Sequence, residues 1–274
     1  MPKIDVMNYS IYYEIYGNEE GEPLVILNGL MMSTASWTPF IDVFSKYKLV
    51  LLDLIDQGQS TKAVGEEYTQ ERQADMLKEF FQKLNLNKVN LVGISYGGEV
   101  AMEFAIKYQD MIRALVLANT TSRTNAFMQD MGKGWEYATS TYDAAAFFKI
   151  SVLPVYSVKF YEDNLEWMRA REQMFNKTLT PEWYDGVKRL IRSAEHLNVT
   201  DKIDIINVPT LLIGADEDTI TPLAYQREIQ SKIKNSQMVI IRGSGHGSMY
   251  ERPYEFAGSI IGFLETYDKK ITIK

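Results

Sequence analysis

The run Gly93-Ile94-Ser95-Tyr96-Gly97-Gly98 constrains what this chain can fold into more than any other stretch. It follows Val89-Asn90-Leu91-Val92, which reads as a buried strand, and leads into a helical pattern from about Glu99. A strand that turns this sharply into a helix needs positions without a Cβ where the two elements approach, and glycine supplies them. The same turn exposes and aims the serine at its centre. A serine hydroxyl is a poor nucleophile until it is exposed, oriented and deprotonated by a neighbour. The turn meets the first two needs.

Other short apolar runs repeat the theme. Residues 4–16 alternate apolar and polar side chains and end at Gly17-Asn18, which predicts a strand pair at a sheet edge. Pro23-Leu24-Val25-Ile26-Leu27, residues 49–54 and residues 114–118 read, like 89–92, as strands buried on both faces. Amphipathic helical patterns over 69–84 and 99–108 lie between them. Strands alternating with helices predict an α/β fold with a mostly parallel central sheet flanked by helices. The alternation then breaks: residues 122–206 carry no strand run and are helical and rich in aromatic residues and methionine. It resumes with strands at 209–213 and 237–241, a helix after Pro222 and a last helix near Pro253. The expected organisation is a discontinuous sheet domain, 1–121 and 207–274, with a helical cap inserted at 122–206.

Composition narrows the function classes. Across 274 residues, 46% are hydrophobic, enough for a substantial core, yet no segment approaches the roughly eighteen uninterrupted apolar residues of a membrane span. The first residues, Met1-Pro2-Lys3-Ile4-Asp5, lack the layout of a signal peptide, so a cytoplasmic protein without membrane insertion is expected. There is no cysteine, which excludes disulfides, a thiol nucleophile and thiolate metal sites. A net charge of −7 argues against a nucleic-acid partner, which would call for a Lys/Arg excess. Nothing in the chain signals an oligomeric state.

The glycine-flanked serine between strand and helix resembles the nucleophile elbow of the α/β-hydrolase superfamily, and the chain is similar to its capped serine esterase and thioesterase-like branch. A serine of this kind needs a base and an acid to orient that base. Of the two histidines, His246 sits in Arg242-Gly243-Ser244-Gly245-His246-Gly247, directly after the last strand, whereas His196 lies in a helical pattern within the insertion and reads as structural. For the acid, Ile213-Gly214-Ala215-Asp216-Glu217-Asp218 precedes Thr219-Ile220-Thr221-Pro222. Relatives carry Asp, a short apolar stretch and then Pro at the next helix. Counting back from Pro222 favours Asp218, with Asp216 the alternative, otherwise a turn residue bonding its own backbone. The order Ser95, Asp218, His246 is that of the superfamily.

The resemblance also implies an oxyanion hole made by the backbone N–H groups of Tyr96 and Leu30. The loop Asn28-Gly29-Leu30-Met31-Met32-Ser33 with Trp37 resembles the His-Gly-x-x-x-Ser/Thr loop of relatives, with Asn28 in place of histidine. Asp53-Leu54-Ile55-Asp56-Gln57-Gly58-Gln59-Ser60 resembles an Asp-x-Arg-Gly-x-Gly-x-Ser turn, with Ile55 and Asp56 in place of Arg-Gly. It reads as a structural loop whose Asp and Ser satisfy backbone groups.

What this implies is a serine hydrolase that cleaves a carboxylic ester with an apolar acyl group through an acyl-enzyme. No metal or organic cofactor is called for. Met31, Trp135 and Trp183 are the expected substrate-binding side chains, since inserted helices roof the pocket at the carboxyl end of such sheets. The alternatives are an acyl thioesterase, a ligand receptor that retains the triad, and a C–C hydrolase or perhydrolase. Basic residues at the pocket mouth would favour the thioesterase, and Lys149, Lys159, Arg169, Arg171 and Lys177 are the candidates.

Overall fold

The computed structural model describes residues 2–270 and 272, so the outermost limits expected for the sheet domain, 1 and 274, lie outside the described residues. Strands β1 (Lys3–Val6) and β2 (Tyr9–Gly17) pair antiparallel at one edge, and β2 pairs antiparallel with β4 (Lys48–Leu52). β3 (Pro23–Leu27), β5 (Val89–Ile94), β6 (Ile112–Ala118), β7 (Thr210–Ala215) and β8 (Ser236–Ile241) continue the sheet in parallel. The order is β1-β2-β4-β3-β5-β6-β7-β8.

Helix α1 (Gln70–Lys83) follows β4, and α2 (Tyr96–Tyr108) begins at the residue after Ser95. Between β6 and β7 the chain runs through α3 (Ala126–Ser140), α4 (Ala144–Phe147), α5 (Val158–Asp163), α6 (Leu165–Thr178) and α7 (Pro181–Ala194). Local chemistry starts these helices: Asn125 accepts the Met128 amide at 3.0 Å to cap α3. Thr180 likewise accepts the Trp183 amide at 3.3 Å, with Pro181 in the first turn of α7. After β7 come α8 (Leu223–Lys232) and, beyond β8, α9 (Ser248–Glu251) and α10 (Pro253–Thr266).

The central strands read as continuous apolar runs because both faces are covered. Along β3, Val25 and Leu27 face a core built with Phe80 and Phe81 of α1 and Phe104 of α2. Leu24 and Ile26 face the other side, against Trp37, Phe40 and, from α10, Phe256. The inserted helices have a core of their own, in which Phe147, Phe148, Met168, Phe175 and Tyr184 meet. Leu30, Met31 and Tyr250 pack against that cluster from the sheet side. No helix among the described residues is long and apolar enough to cross a membrane.

Candidate active site

Ser95 sits at φ 52° and ψ −119°, a conformation that costs an L-residue on the order of 1–3 kcal/mol and persists only where the surroundings fix it. Here the Ser95 amide donates to Ala118 O at 2.9 Å, and the Ser95 carbonyl accepts from the Gly98 amide at 2.8 Å and Thr120 Oγ1 at 2.7 Å. The flanking glycines are forced by close approach. A Cβ on Gly93 would stand 2.4 Å from Gly97 O, and one on Gly97 would stand 2.4 Å from Leu27 O.

Loops after β7 and β8 bring two further side chains to this serine. His246 Nε2 is 3.0 Å from Ser95 Oγ, and His246 Nδ1 is 2.9 Å from Asp218 Oδ2. Asp218 is buried and saturated with donors. Its Oδ1 accepts from the Ile220 and Thr221 amides at 2.9 and 2.8 Å, and its Oδ2 from Thr221 Oγ1 at 2.8 Å and Asn119 Nδ2 at 3.0 Å. Burial alone raises its pKa, but the His246 charge and these hydrogen bonds outweigh it and hold the carboxyl below the usual value. Asp216 has a different job: its Oδ1 accepts the Gly243 amide at 2.7 Å and ties the β7 and β8 loops together.

Asn119 is a site residue that the sequence reading missed. It stands one residue beyond β6 at φ 45°, donates to Asp218 and accepts from Ser248 Oγ at 2.7 Å. The one available signal was its place at the carboxyl end of the strand next to the elbow, where such sheets collect functional side chains.

The loop after β3 closes against the serine, with a Cβ built on Gly29 only 3.5 Å from Ser95 Cβ. The Leu30 and Tyr96 amides have no acceptor among the described residues, and both residues line the cavity at Ser95. Two unpaired N–H donors beside a serine hydroxyl have the arrangement that can stabilise an oxyanion. Asn28 holds this loop, donating to Leu52 O at 2.8 Å and accepting Trp37 Nε1 at 2.8 Å. Gln57 Nε2 adds a bond to Gly29 O at 2.9 Å, and Asp53 Oδ1 accepts the Thr34 amide at 2.8 Å. The departure from the relatives' turn at Asp56 has its own partner. Arg189 of α7 grips this buried carboxylate from Nε at 3.0 Å to both oxygens and from Nη2 at 2.6 Å.

Two chambers meet at Ser95. The larger, about 170 Å³, is lined by Leu30, Tyr96, Glu99, Met128, Met131, Trp135 and Ile191 among others. Burial pushes the Glu99 carboxyl up to about 8, which favours its neutral form at pH 7, and Gln70 Nε2 donates to it at 2.8 Å. The smaller, about 100 Å³, holds His246, Met31, Met32, Val152, Tyr156, Arg171, Phe175 and Tyr250. Trp135 stands between them and lines both.

Trp183 corrects the sequence expectation, for it lines neither chamber. Its ring packs edge-on against Phe147 at 5.4 Å and Tyr184 at 5.3 Å in the insertion's own core, and its outer side borders a surface groove. His196 is exposed in the turn after α7. Among the five cations considered for a pocket mouth, Lys149 pairs with Glu172, Lys159 with Asp163 and Arg169 with Glu172, and Lys177 is exposed. Arg171 alone of these lines a chamber at Ser95.

Fold and site together define a class. The α/β hydrolase fold family matches residues 22–253, and the chain belongs to it. The crystal structure of MGS-M2, an α/β hydrolase enzyme from a Medee basin deep-sea metagenome library, has a TM-score of 0.94 at 37% identity and covers 100% of both chains. Lipase 3 of Moraxella sp. (strain TA144) is 25% identical over 262 residues, 92% of this chain and 80% of the lipase. The enol-lactonase from Burkholderia xenovorans LB400 has the same fold, with a TM-score of 0.86 at 21% identity over 96% of this chain and 100% of that one.

Proposed function

We propose that this protein is a serine hydrolase that cleaves a carboxylic ester with an apolar acyl group through an acyl-enzyme on Ser95. The observation that carries the reading is the hydrogen-bonded chain from Ser95 Oγ through both His246 nitrogens to a buried, ionised Asp218. In this mechanism His246 Nε2 takes the hydroxyl proton as Ser95 attacks the ester carbonyl, while Asp218 accepts from Nδ1 and holds the imidazolium. The Leu30 and Tyr96 amides donate to the oxyanion. Collapse breaks the acyl–oxygen bond, and the departing alkoxide takes the proton from His246 Nε2. Water then gives a proton to His246, attacks the acyl carbon and releases the acid, and the proton returns to Ser95 Oγ.

The chambers support an assignment of the two substrate halves. Tyr96 lines the larger chamber, whose Met128, Met131, Trp135 and Ile191 suit an apolar acyl group. His246 lines the smaller one only, so the alcohol half, which must meet Nε2, lies there. In this reading residues 122–206 act as a cap that sets selectivity, while 1–121 and 207–274 carry the chemistry. Incubation with a fluorophosphonate followed by peptide mass spectrometry tests the nucleophile. Stoichiometric modification of Ser95 is expected, blocked by prior Ser95→Ala substitution. Labelling elsewhere, or none, overturns the reading.

A further inference from the structure

Arg171 of α6 stands in the wall of the smaller chamber without a counter-ion. Its guanidinium carbon lies 5.1 Å from the Trp167 ring centre, 5.7 Å from Phe175 and 5.0 Å from Tyr250. Its Nε is buried and has no hydrogen-bond partner, and neither Nη has an acceptor among the described residues. Nearby carboxylates are committed elsewhere. Glu172 is held by Lys149 and Arg169, and Glu251 accepts from the Ser157 hydroxyl and from the Ser157 and Gly245 amides. The larger chamber shows the contrast. Its Arg192 is paired with Glu136 and its Lys133 with Asp130, and Glu195 adds an acidic group to its lining.

A guanidinium is a planar fork of donors matched to a carboxylate. The three rings hold this fork in place and stabilise its charge, but they accept no N–H···O bond. Half-buried between the chamber and an outer groove, Arg171 therefore presents an oriented cation with unused donors in the chamber that His246 also lines. We propose that Arg171 binds a carboxylate on the alcohol half of the ester, so that the preferred substrates are esters of hydroxy acids whose free carboxylate points into the smaller chamber. This deepens the esterase reading and rests on it for the assignment of the halves.

Two esters of one skeleton test it: the acetyl ester of 4-hydroxybutanoate and that of 4-hydroxybutanamide, which differ in charge and hardly in shape. Acetate release by the wild type should favour the carboxylate at least about tenfold in kcat/KM, through KM, as loss of a charge-assisted hydrogen bond would reverse. Arg171→Gln should bring that ratio below about twofold, and Arg171→Lys, which keeps the charge without the fork, should retain an intermediate ratio. Calorimetric binding of the same two esters to Ser95→Ala protein, which does not need turnover, separates the two readings. Discrimination in binding without hydrolysis would leave the anion site standing and sink the esterase. Equal binding of both esters, or a wild-type ratio that Arg171→Gln and Arg171→Lys leave unchanged, overturns the anion site. A circular dichroism spectrum of each variant shows that it is folded, and the Lys variant serves if the Gln variant is not.

Discussion

At the carboxyl end of the sheet, the proposed reacting groups are set by tight turns and a dense hydrogen-bond network; in the inserted helices, chamber walls are placed by packing. Ser95 and Asn119 both sit at positive φ on turns that leave β5 and β6, and Asp218 is fixed by two backbone amides. Each is held by backbone bonds that any sequence can make, with side chains such as Thr120, Thr221 and Ser248 adding to them. Trp135, Met128, Phe175 and Arg171 instead reach Ser95 from helix faces whose register depends on side chains such as Phe147, Phe148 and Tyr184. The difference implies that the walls can be changed without disturbing the proposed nucleophile. Substitutions on the sheet side should cost rate, and those on the helical side should shift selectivity or stability.

The largest effect should come from Ser95→Ala. Loss of a triad nucleophile removes about a millionfold in turnover, and p-nitrophenyl acetate hydrolysis with contamination excluded is the measurement. Retention of more than a few per cent of wild-type activity would end the distinction between machinery and walls. Next comes Asp218→Asn, which leaves the shape intact but removes the acceptor that fixes the His246 tautomer, and related triads lose about ten-thousandfold. Asp216→Asn should cost far less, because the Asp216 carboxylate bonds the Gly243 amide and not the imidazole. Comparable losses at both positions would show that the β7 loop acts as one unit, contrary to the hydrogen-bond pattern.

The same division explains what the sequence disclosed. Strands covered on both faces announce themselves as short apolar runs and the edge pair as an alternating one, so each of the eight strands was legible near its observed place. Gly93, Gly97 and the glycines around His246 marked turns, and Pro222 set the register that separates Asp218 from Asp216. Asn119 left no such trace, since an asparagine after a strand is an ordinary turn residue until Asp218 is known to face it. Nor could Trp135 be told from Trp183. Both are aromatic residues on helices, and only the packing of α3 and α7 turns one toward Ser95 and the other into the insertion's core. Asp56 read as a loop residue because Arg189, its partner, lies 133 residues away.

That ion pair is one joint between the two regions, and breaking it tests how firmly the walls are fastened there. Gly186 of α7 lies so close that a Cβ there would stand 2.7 Å from Asp56 O, so the helix rests directly on the core loop. Arg189→Met would strand the buried Asp56 carboxylate with only the Tyr68 hydroxyl at 2.8 Å and the Ala63 amide at 3.0 Å. Removing one partner of a buried pair costs about 3–5 kcal/mol, readable in urea unfolding. The double variant Asp56→Asn, Arg189→Met should recover part of that loss, because no uncompensated charge is left. A single substitution that costs under about 1 kcal/mol would mean that this pair contributes little and that the other contacts, such as the Ser157–Glu251 bonds and the apolar packing, hold the insertion.

The last expected effect lies where the regions meet at the larger chamber. Glu99 belongs to the first turn of α2 on the sheet side, yet its carboxyl lines the wall opposite the inserted helices. Burial raises it from 4.5 to about 8, so the folded state keeps a proton over that window which the unfolded chain has released. The associated stability is complete below 4.5 and is lost as pH rises through about 8. Glu99→Gln keeps the shape and an oxygen to accept from Gln70, but carries no proton to lose. The melting temperature of the variant should therefore gain on the wild type between pH 5 and pH 8.5 by about 8 °C or more, since about three pH units of linkage amount to about 4 kcal/mol and each kcal/mol is worth about 2–4 °C in a domain of this size. A gap that stays constant over that range would show that Glu99 is already ionised in the folded protein. The larger chamber would then carry a negative charge, and an apolar acyl group would no longer suit it.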